Sequence, residues 1–227
     1  MSKWEIRGLG YEDAEVRATV DDRSITGYGI VFNKWSQDLG GFREIILPEA
    51  INGVIERSDV LALMNHDMSR GVLARCTQGK GSMSLRTTDK GVQYSFNAPK
   101  YNLGDELLEG VERGDIRASS FAFTVAPGGD QWDKNEDGTW NRTVKSFDKI
   151  YDMSPVYSPA YTDTTVAKRS LDAIKEMSEP VKEETKPPVI DEVTVEPIVE
   201  FQRSAATDLE QAYRLYIDEF EINNLTR

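Results

Sequence analysis

Residues 116–125, IRASSFAFTV, are the stretch of the sequence that says most about the fold. They are rich in β-branched and aromatic residues, which is typical of a strand. The alternation of a strand places Ser119 on the same face as Phe121 and Phe123, whereas Ser120 lies on the other face among small neighbours. The stretch therefore predicts a strand that presents Ser120 on a face with room for a peptide backbone to approach.

Similar short segments on both sides of this strand predict a mostly β domain. They are rich in β-branched and aromatic residues and are separated by Gly, Asn or Asp turn signals. These further predicted strands are SITGYGIVF (24–32), DVLALMNH (59–66), SMSLRTT (82–88), GVQYSFNA (91–98) and TVKSFDKIY (143–151). The pattern favours a β-barrel or a β-sandwich.

Two segments between these strands predict helices. PEAINGVIER (48–57) has Pro48 at a favourable first helical position. LGDELLEGVERG (103–114) places Leu103, Leu107, Leu108 and Val111 on one face and ends at a glycine. The fold class predicted from the sequence is therefore mostly β with flanking helices, that is, α+β.

The last quarter of the chain differs in composition from the rest. Residues 171–227 hold 14 Asp and Glu against 6 Lys and Arg, and residues 176–200 contain four of the nine prolines and no aromatic residue. Such a segment buries too little surface to offset chain entropy, so it predicts a disordered linker. We accordingly divide the chain into a main domain (1–170), an acidic linker (171–200) and a C-terminal helix (201–227).

The C-terminal helix is predicted from its apolar periodicity. Between residues 207 and 220, apolar side chains recur at the spacing of one helical face, and Thr207 and Glu210 have the spacing of a capping box. Such a helix packs on the body of the protein or docks on another protein, and the flexible linker before it favours docking.

Composition and charge argue against several classes of function. No apolar run approaches the roughly 18 residues of a membrane span, and the first 20 residues lack the pattern of a secretory signal, so we expect no membrane partner and a cytoplasmic protein. The net charge of −12 argues against nucleic acid as a partner. The single cysteine, Cys76, excludes an internal disulfide and is expected to be a small buried residue.

The sequence motifs predict neither a cofactor nor a metal. There is no GxGxxG after a strand, no Walker loop, no HExxH and no GxSxG. DKNEDG (133–138) resembles the start of a calcium loop, but Val144 stands where that loop needs its bidentate glutamate. This segment therefore predicts a polar hairpin turn.

His66 is the only histidine in the chain. It is thus the only candidate for an imidazole base at neutral pH, and such a base can activate a serine such as Ser120. His66 ends the strand-like run 59–66 and precedes the turn-like MSRG, a place where substrate could reach its ring. The alternatives are that His66 has only a structural role and that Ser120 is only a small residue filling a strand.

The order of several sequence blocks resembles the caudovirus prohead serine proteases. The matching blocks, which run from residue 27 to residue 164, are GYGIVFNKWSQDLGGFREIILPEAI, DVLALMNHD, GVLAR, ERGDIRASSFAFTV and YDMSPVYSPAYTDT. The resemblance implies His66 as the base and Ser120 as the nucleophile. It also implies a β-barrel like that of the herpesvirus maturation proteases and a homodimer like theirs.

The resemblance implies an acidic residue as the third member of the triad. The family's acidic position falls on Asp152 in YDMSPV, where glutamate is often found. Asp148 and Asp163 are alternatives. Asp67 is adjacent to His66 in sequence, but neighbours along a strand point to opposite faces, so Asp67 is poorly placed.

The implied function is that of a serine endopeptidase of phage procapsid maturation. Ser120 attacks a peptide carbonyl, His66 transfers the proton, and Asp152 holds the imidazole. The implied substrates are the scaffold segment of the major capsid protein, any separate scaffold and the protease itself, with the acidic linker as the segment for self-cleavage. The implied location is the host cytoplasm, inside the assembling procapsid. An inactive scaffold or procapsid-binding protein is the alternative; an aspartic-type hydrolase has no signature here.

Overall fold

The structure, a computed structural model, describes residues 4–158, 171, 172 and 175. The predicted C-terminal helix (201–227) and, apart from those last three residues, the predicted linker (171–200) lie outside the described residues. Within the described part, no helix is long and apolar enough to cross a membrane.

Strands are the commonest regular structure in the described chain. They are β1 (Glu5–Leu9), β2 (Arg17–Thr19), β3 (Ser24–Val31), β4 (Phe42–Ile46), β5 (Asp59–Ala62), β6 (Ala74–Thr77), β7 (Lys80–Gly81), β8 (Met83–Thr87), β9 (Gly91–Asn97), β10 (Ala118–Val125), β11 (Asp130–Lys134), β12 (Trp140–Val144) and β13 (Phe147–Val156). The α-helices are α1 (Tyr11–Ala14) and α2 (Asn102–Glu112), and the 3-10 turns are Pro48–Ile51, Ile55–Arg57 and Met68–Arg70. The prediction of a mostly β fold with few helices is confirmed.

The strands form three sheets. The largest has the order β1-β10-β13-β5-β6-β7, the second β2-β3-β9-β8 and the third β11-β12-β4. Among the described strands, each sheet ends in two edge strands, so the closed barrel implied by the resemblance is not found. The physical reason is that the two larger sheets bury their apolar faces against each other through side chains, without backbone pairing between them.

The inner face of β10 carries the aromatic part of the core. Phe121 and Phe123 are fully buried and stack with their ring centroids 5.0 Å apart. Ser119 lies on the same face, and its hydroxyl is 2.9 Å from the hydroxyl of Tyr94 on β9. Burial raises the pKa of Tyr94, so this phenol stays neutral. The predicted alternation of this strand is therefore confirmed: Ser119 belongs to the core face, and Ser120 to the other.

The two helix predictions have different outcomes. Helix α2 forms as expected, with Leu103, Leu107 and Leu108 buried. The prediction of one helix over residues 48–57 is wrong, because the structure has two short 3-10 turns there. Gly53 between them has a φ of +65°, outside the right-handed helical region, and this interrupts the helix.

A cluster of buried charges joins β1 to the third sheet. We call Glu5, Arg7, Glu44 and Arg142, together with the partly exposed Asp130, the buried ion cluster. Nε of Arg7 donates to Glu44 at 3.0 Å, and Nη1 of Arg142 donates to Glu5 at 2.6 Å and to Glu44 at 2.8 Å. Burial alone would raise the pKa of Glu5, but the charges of Arg7 and Arg142 overcome this effect and lower it. Strand β1 is thus held through ionised side chains.

Candidate active site

The candidate site lies on the face of β10 and β13 that turns away from the aromatic core. In the antiparallel pairing of these strands, Ser120 is opposite Ser154, and Ala122 is opposite Asp152. Directly opposed residues point to the same face of a sheet. The predicted nucleophile, Ser120, and the predicted acidic residue, Asp152, therefore share one face, and both are buried.

His66 lies in a turn beyond the end of β5. The prediction that His66 ends a strand is wrong, because β5 stops at Ala62. Asn65 and His66 have φ values of +54° and +62°, a left-handed conformation that few residues other than glycine adopt and that is often found at functional sites. The backbone N–H of Asn65 donates to the carbonyl of Pro155 at 3.2 Å, which ties this turn to β13.

The structure brings His66 and Asp152 into contact. Nδ1 of His66 lies 2.8 Å from Oδ1 of Asp152, and the two residues are only 7% and 2% exposed. The carboxylate lies off the direction needed for a hydrogen bond, and neither ring nitrogen has an aligned hydrogen-bond partner among the described residues. The contact is therefore a close approach of the ring to the carboxylate without hydrogen-bond alignment.

Parallel pairing of two strands explains why these residues meet although they are far apart in sequence. Strand β13 pairs with β5 at Asp152 and Leu61, so the end of β5 runs alongside the acidic residue. The turn that follows β5 then carries His66 back over β13. The sequence contains no local signal for this pairing, because strands distant in the chain determine it.

The other acidic candidates have different surroundings. Asp67 caps the 3-10 turn Met68–Arg70 and accepts a hydrogen bond from the backbone N–H of Ser69 at 2.9 Å. Asp148 is exposed and lies 3.5 Å from the hydroxyl of Thr124. Asp163 lies outside the described residues. Asp152 is thus the acidic candidate that the described structure places against His66.

Ser120 is fully buried against β1. Its Oγ donates a hydrogen bond to the backbone carbonyl of Arg7 at 3.0 Å, and Gly8 is its partner across the β1–β10 pair. The sequence predicted room for a peptide backbone beside Ser120, whereas Ser120 has no exposed surface in the structure and hydrogen-bonds to the neighbouring strand β1. The hydroxyl thus points towards β1, on the side of β10 opposite to β13.

Ser154 is a residue of the site that the sequence reasoning missed. It is fully buried, its Oγ donates to Oδ1 of Asp152 at 2.9 Å, and the same Oγ accepts from the backbone N–H of Leu63 at 3.1 Å. Its position two residues after Asp152 in YDMSPV was an available signal. On a strand, this spacing places the two side chains on the same face.

The described residues offer no group of three or more His, Cys, Asp or Glu side chains that could hold a metal ion. The predicted polar hairpin turn over residues 133–138 forms at the end of β11, and its residues 135–138 lie between β11 and β12. Asp137 accepts hydrogen bonds from the side chain and the backbone of Thr139, and these lower the pKa of Asp137. Cys76 is fully buried, as expected, and burial raises the pKa of its thiol.

One comparison with known proteins, a match to a family model, identifies a class of enzyme. The sequence model of a family described as caudovirus prohead serine protease matches residues 12–179, a span that contains His66, Ser120 and Asp152. No curated protein sequence matches the chain. Among solved structures, the bacteriophage T4 capsid assembly protease gp21 is similar with a TM-score of 0.38 and 12% identity, covering 69% of this chain and 98% of that chain.

Proposed function

This chain belongs to the caudovirus prohead serine protease family and is a serine protease, and from this premise we propose that Ser120, His66 and Asp152 are its catalytic triad. The observation that carries the proposal is the 2.8 Å approach of His66 Nδ1 to Asp152 Oδ1, on the sheet face that Ser120 shares. A serine, an imidazole and an oriented carboxylate are the three groups that acyl transfer requires.

The proposed mechanism gives each group one role. Ser120 Oγ attacks a peptide carbonyl carbon and forms an acyl-enzyme, while Nε2 of His66 takes the hydroxyl proton and delivers it to the leaving amine. Water then attacks the acyl group, loses a proton to His66 and returns Ser120 to its hydroxyl form. Nε2 has no hydrogen-bond partner in the described part of the chain, so it is available to accept that proton. Asp152 holds Nδ1 and stabilises the imidazolium.

The proposed substrates are proteins of the assembling capsid. Membership of a prohead protease family supports cleavage of the scaffold segment of the major capsid protein, inside the procapsid in the host cytoplasm. Self-cleavage in the acidic linker (171–200) and a homodimer are part of the same proposal. A segment whose proline-rich, charged composition predicts disorder suits a protease, because such a segment enters an active site without first having to unfold.

Co-expression with the major capsid protein tests this function. We expect the capsid protein in purified particles to be shortened when the intact chain is present and to keep its full mass with the Ser120→Ala chain. The measurement is the intact mass of the capsid protein from both preparations. If the capsid protein keeps its full mass with the intact chain while the chain co-purifies with the particles, the binding alternative replaces the protease proposal.

A further inference from the structure

We propose that Ser154 is a positioning residue that holds the Asp152 carboxylate against His66. This proposal rests on the triad proposed above. The hydroxyl of Ser154 donates to Oδ1 of Asp152 at 2.9 Å, and the same oxygen lies 2.8 Å from Nδ1 of His66. Ser154 is fully buried, so solvent does not compete for this hydrogen bond.

The same hydroxyl also holds the chain segment that leads to His66. It accepts a hydrogen bond from the backbone N–H of Leu63 at 3.1 Å, three residues before His66. A hydroxyl is a donor and an acceptor at once, so Ser154 links the strand of Asp152 to the segment of His66 through one atom. Alanine at this position would remove the donor to the carboxylate and leave a buried N–H without its partner.

Kinetics of a Ser154→Ala variant test this role. We expect kcat for capsid-protein cleavage to fall about 10- to 100-fold with little change in KM, because the reacting groups lose their alignment. We also expect the acid limb of the kcat/KM profile to move to lower pH, because a displaced carboxylate stabilises the imidazolium less. Ser154→Thr keeps the hydroxyl and should restore both kcat and the position of the limb.

Ser119→Ala is the matched control, because it removes a buried hydroxyl that is bonded to Tyr94 in the core. It should leave kcat and the pH profile unchanged. The role of Ser154 is refuted if Ser154→Ala keeps the parent profile, whether or not its rate falls. If Ser154→Ala does not fold, Ser154→Cys provides a poorer donor of similar size, and a parent-like profile in that variant contradicts the role.

The Asp152→Asn variant distinguishes a failure of the Ser154 proposal from a failure of the proposed catalytic triad. Activity retained in Asp152→Asn would show that the triad is misassigned. An inactive Asp152→Asn chain beside a Ser154→Ala chain with parent kinetics would refute only the positioning role.

A different observation supports a second proposal: we infer that β1 is a latch that keeps Ser120 in a resting state. The Ser120 hydroxyl donates to the Arg7 carbonyl at 3.0 Å, while Nε2 of His66 has no hydrogen-bond partner among the described residues. The hydroxyl proton that Ser120 must give to His66 in catalysis is therefore directed towards the Arg7 carbonyl of β1. Ser120 has no exposed surface in this arrangement.

Strand β1 is suited to detach. It is an edge strand of the six-stranded sheet, so backbone pairing holds it on one side only and its release leaves β10 paired with β13. It also precedes residue 12, where the family match begins. The matched body therefore carries the whole proposed triad without β1.

The side chains that anchor β1 are mainly charged. Arg7 binds Glu44, and Glu5 binds Arg142, all within the buried ion cluster. Removing one member leaves its partner charged and buried, so the anchor is strong when complete and weak when broken. Breaking an ion pair is therefore the most direct way to release β1, beside the stacking of Trp4 on Tyr151 just before the strand.

A reversible disulfide tests the latch. Leu9 and Ser119 are register partners on β1 and β10, on the face away from the proposed triad, and opposed residues are close enough to cross-link. In a Leu9→Cys, Ser119→Cys chain we measure labelling of Ser120 by a fluorophosphonate, which bonds to an activated serine and releases fluoride. We expect labelling in the oxidised form to be at least about tenfold slower than in the reduced form, because the locked strand keeps the hydroxyl engaged.

Equal labelling rates of the oxidised and reduced forms would overturn the latch, because rotation of the Ser120 side chain would then suffice. The Ser119→Cys single variant controls for the substitution and should not respond to oxidation. If neither form is labelled, the Arg7→Gln variant tests the latch instead, because it breaks the ion pairs that anchor β1. We expect Ser120 in this variant to be labelled at least about tenfold faster than in the parent chain. An unchanged labelling rate contradicts the latch.

Arg113→Gln is the control for Arg7→Gln, because its ion pairs are exposed. The proposed function is tested separately, by capsid-protein cleavage with the Ser120→Ala chain. Capsid-protein cleavage that survives Ser120→Ala would refute the nucleophile, whatever the labelling rates show.

Discussion

Replacing Ser120 with alanine is expected to lower the rate of capsid-protein cleavage by about 10⁶-fold, the size of effect found when a serine nucleophile is removed. Without Oγ no acyl-enzyme forms, and only the slow attack of water remains. The folded protein should persist, because one hydrogen bond to the Arg7 carbonyl is worth about 1 kcal/mol. The measurement is the initial rate of cleavage by purified protein, read by intact mass.

Ser119→Ala is the matched control for this prediction. Ser119 is the preceding residue on β10, equally buried, but its hydroxyl lies 2.9 Å from that of Tyr94 on the core side. We expect Ser119→Ala to keep the parent rate and to lose about 1 kcal/mol in free energy of unfolding, measured by urea titration. The reverse pattern, with Ser119→Ala inactive and Ser120→Ala active, would contradict the assignment of the nucleophile.

Replacing Asp152 with asparagine is expected to lower kcat by about 10⁴-fold, as in serine proteases whose triad carboxylate becomes an amide. The side chain keeps its shape, but its amide can present a donor to Nδ1, which lies 2.8 Å from Oδ1 in the parent. The imidazole then takes the wrong tautomer and loses the charge that stabilises its protonated form. The kcat for capsid-protein cleavage, measured at saturating substrate, reports the effect.

Asp148→Asn is the control for this second prediction. Asp148 lies on the same strand but is exposed, and its carboxylate is 3.5 Å from the hydroxyl of Thr124. It should retain kcat within about twofold, because exposed charges contribute little to a distant reaction. A nearly active Asp152→Asn chain would show that the contact with His66 is only structural.

The elements predicted from the sequence are those with strong local patterns. Strand β10 and helix α2 form where periodicity placed them, because a repeating spacing of apolar residues specifies which face is buried. The single helix expected over residues 48–57 does not form, because Gly53 at φ +65° interrupts it. Local patterns also failed at His66, whose left-handed turn depends on contacts with a distant strand.

The amino-acid sequence by itself determined that the chain is mostly β, that Ser119 and Ser120 face opposite sides, and which family it belongs to. Only the tertiary structure decided that the sheets of the described chain stay open and that His66 lies against Asp152. It also decided that Ser154 hydrogen-bonds to Asp152 and that Ser120 hydrogen-bonds to β1. The reason is physical. Alternation along a strand depends on neighbouring residues, whereas the pairing and register of strands distant in sequence depend on how all their faces pack together.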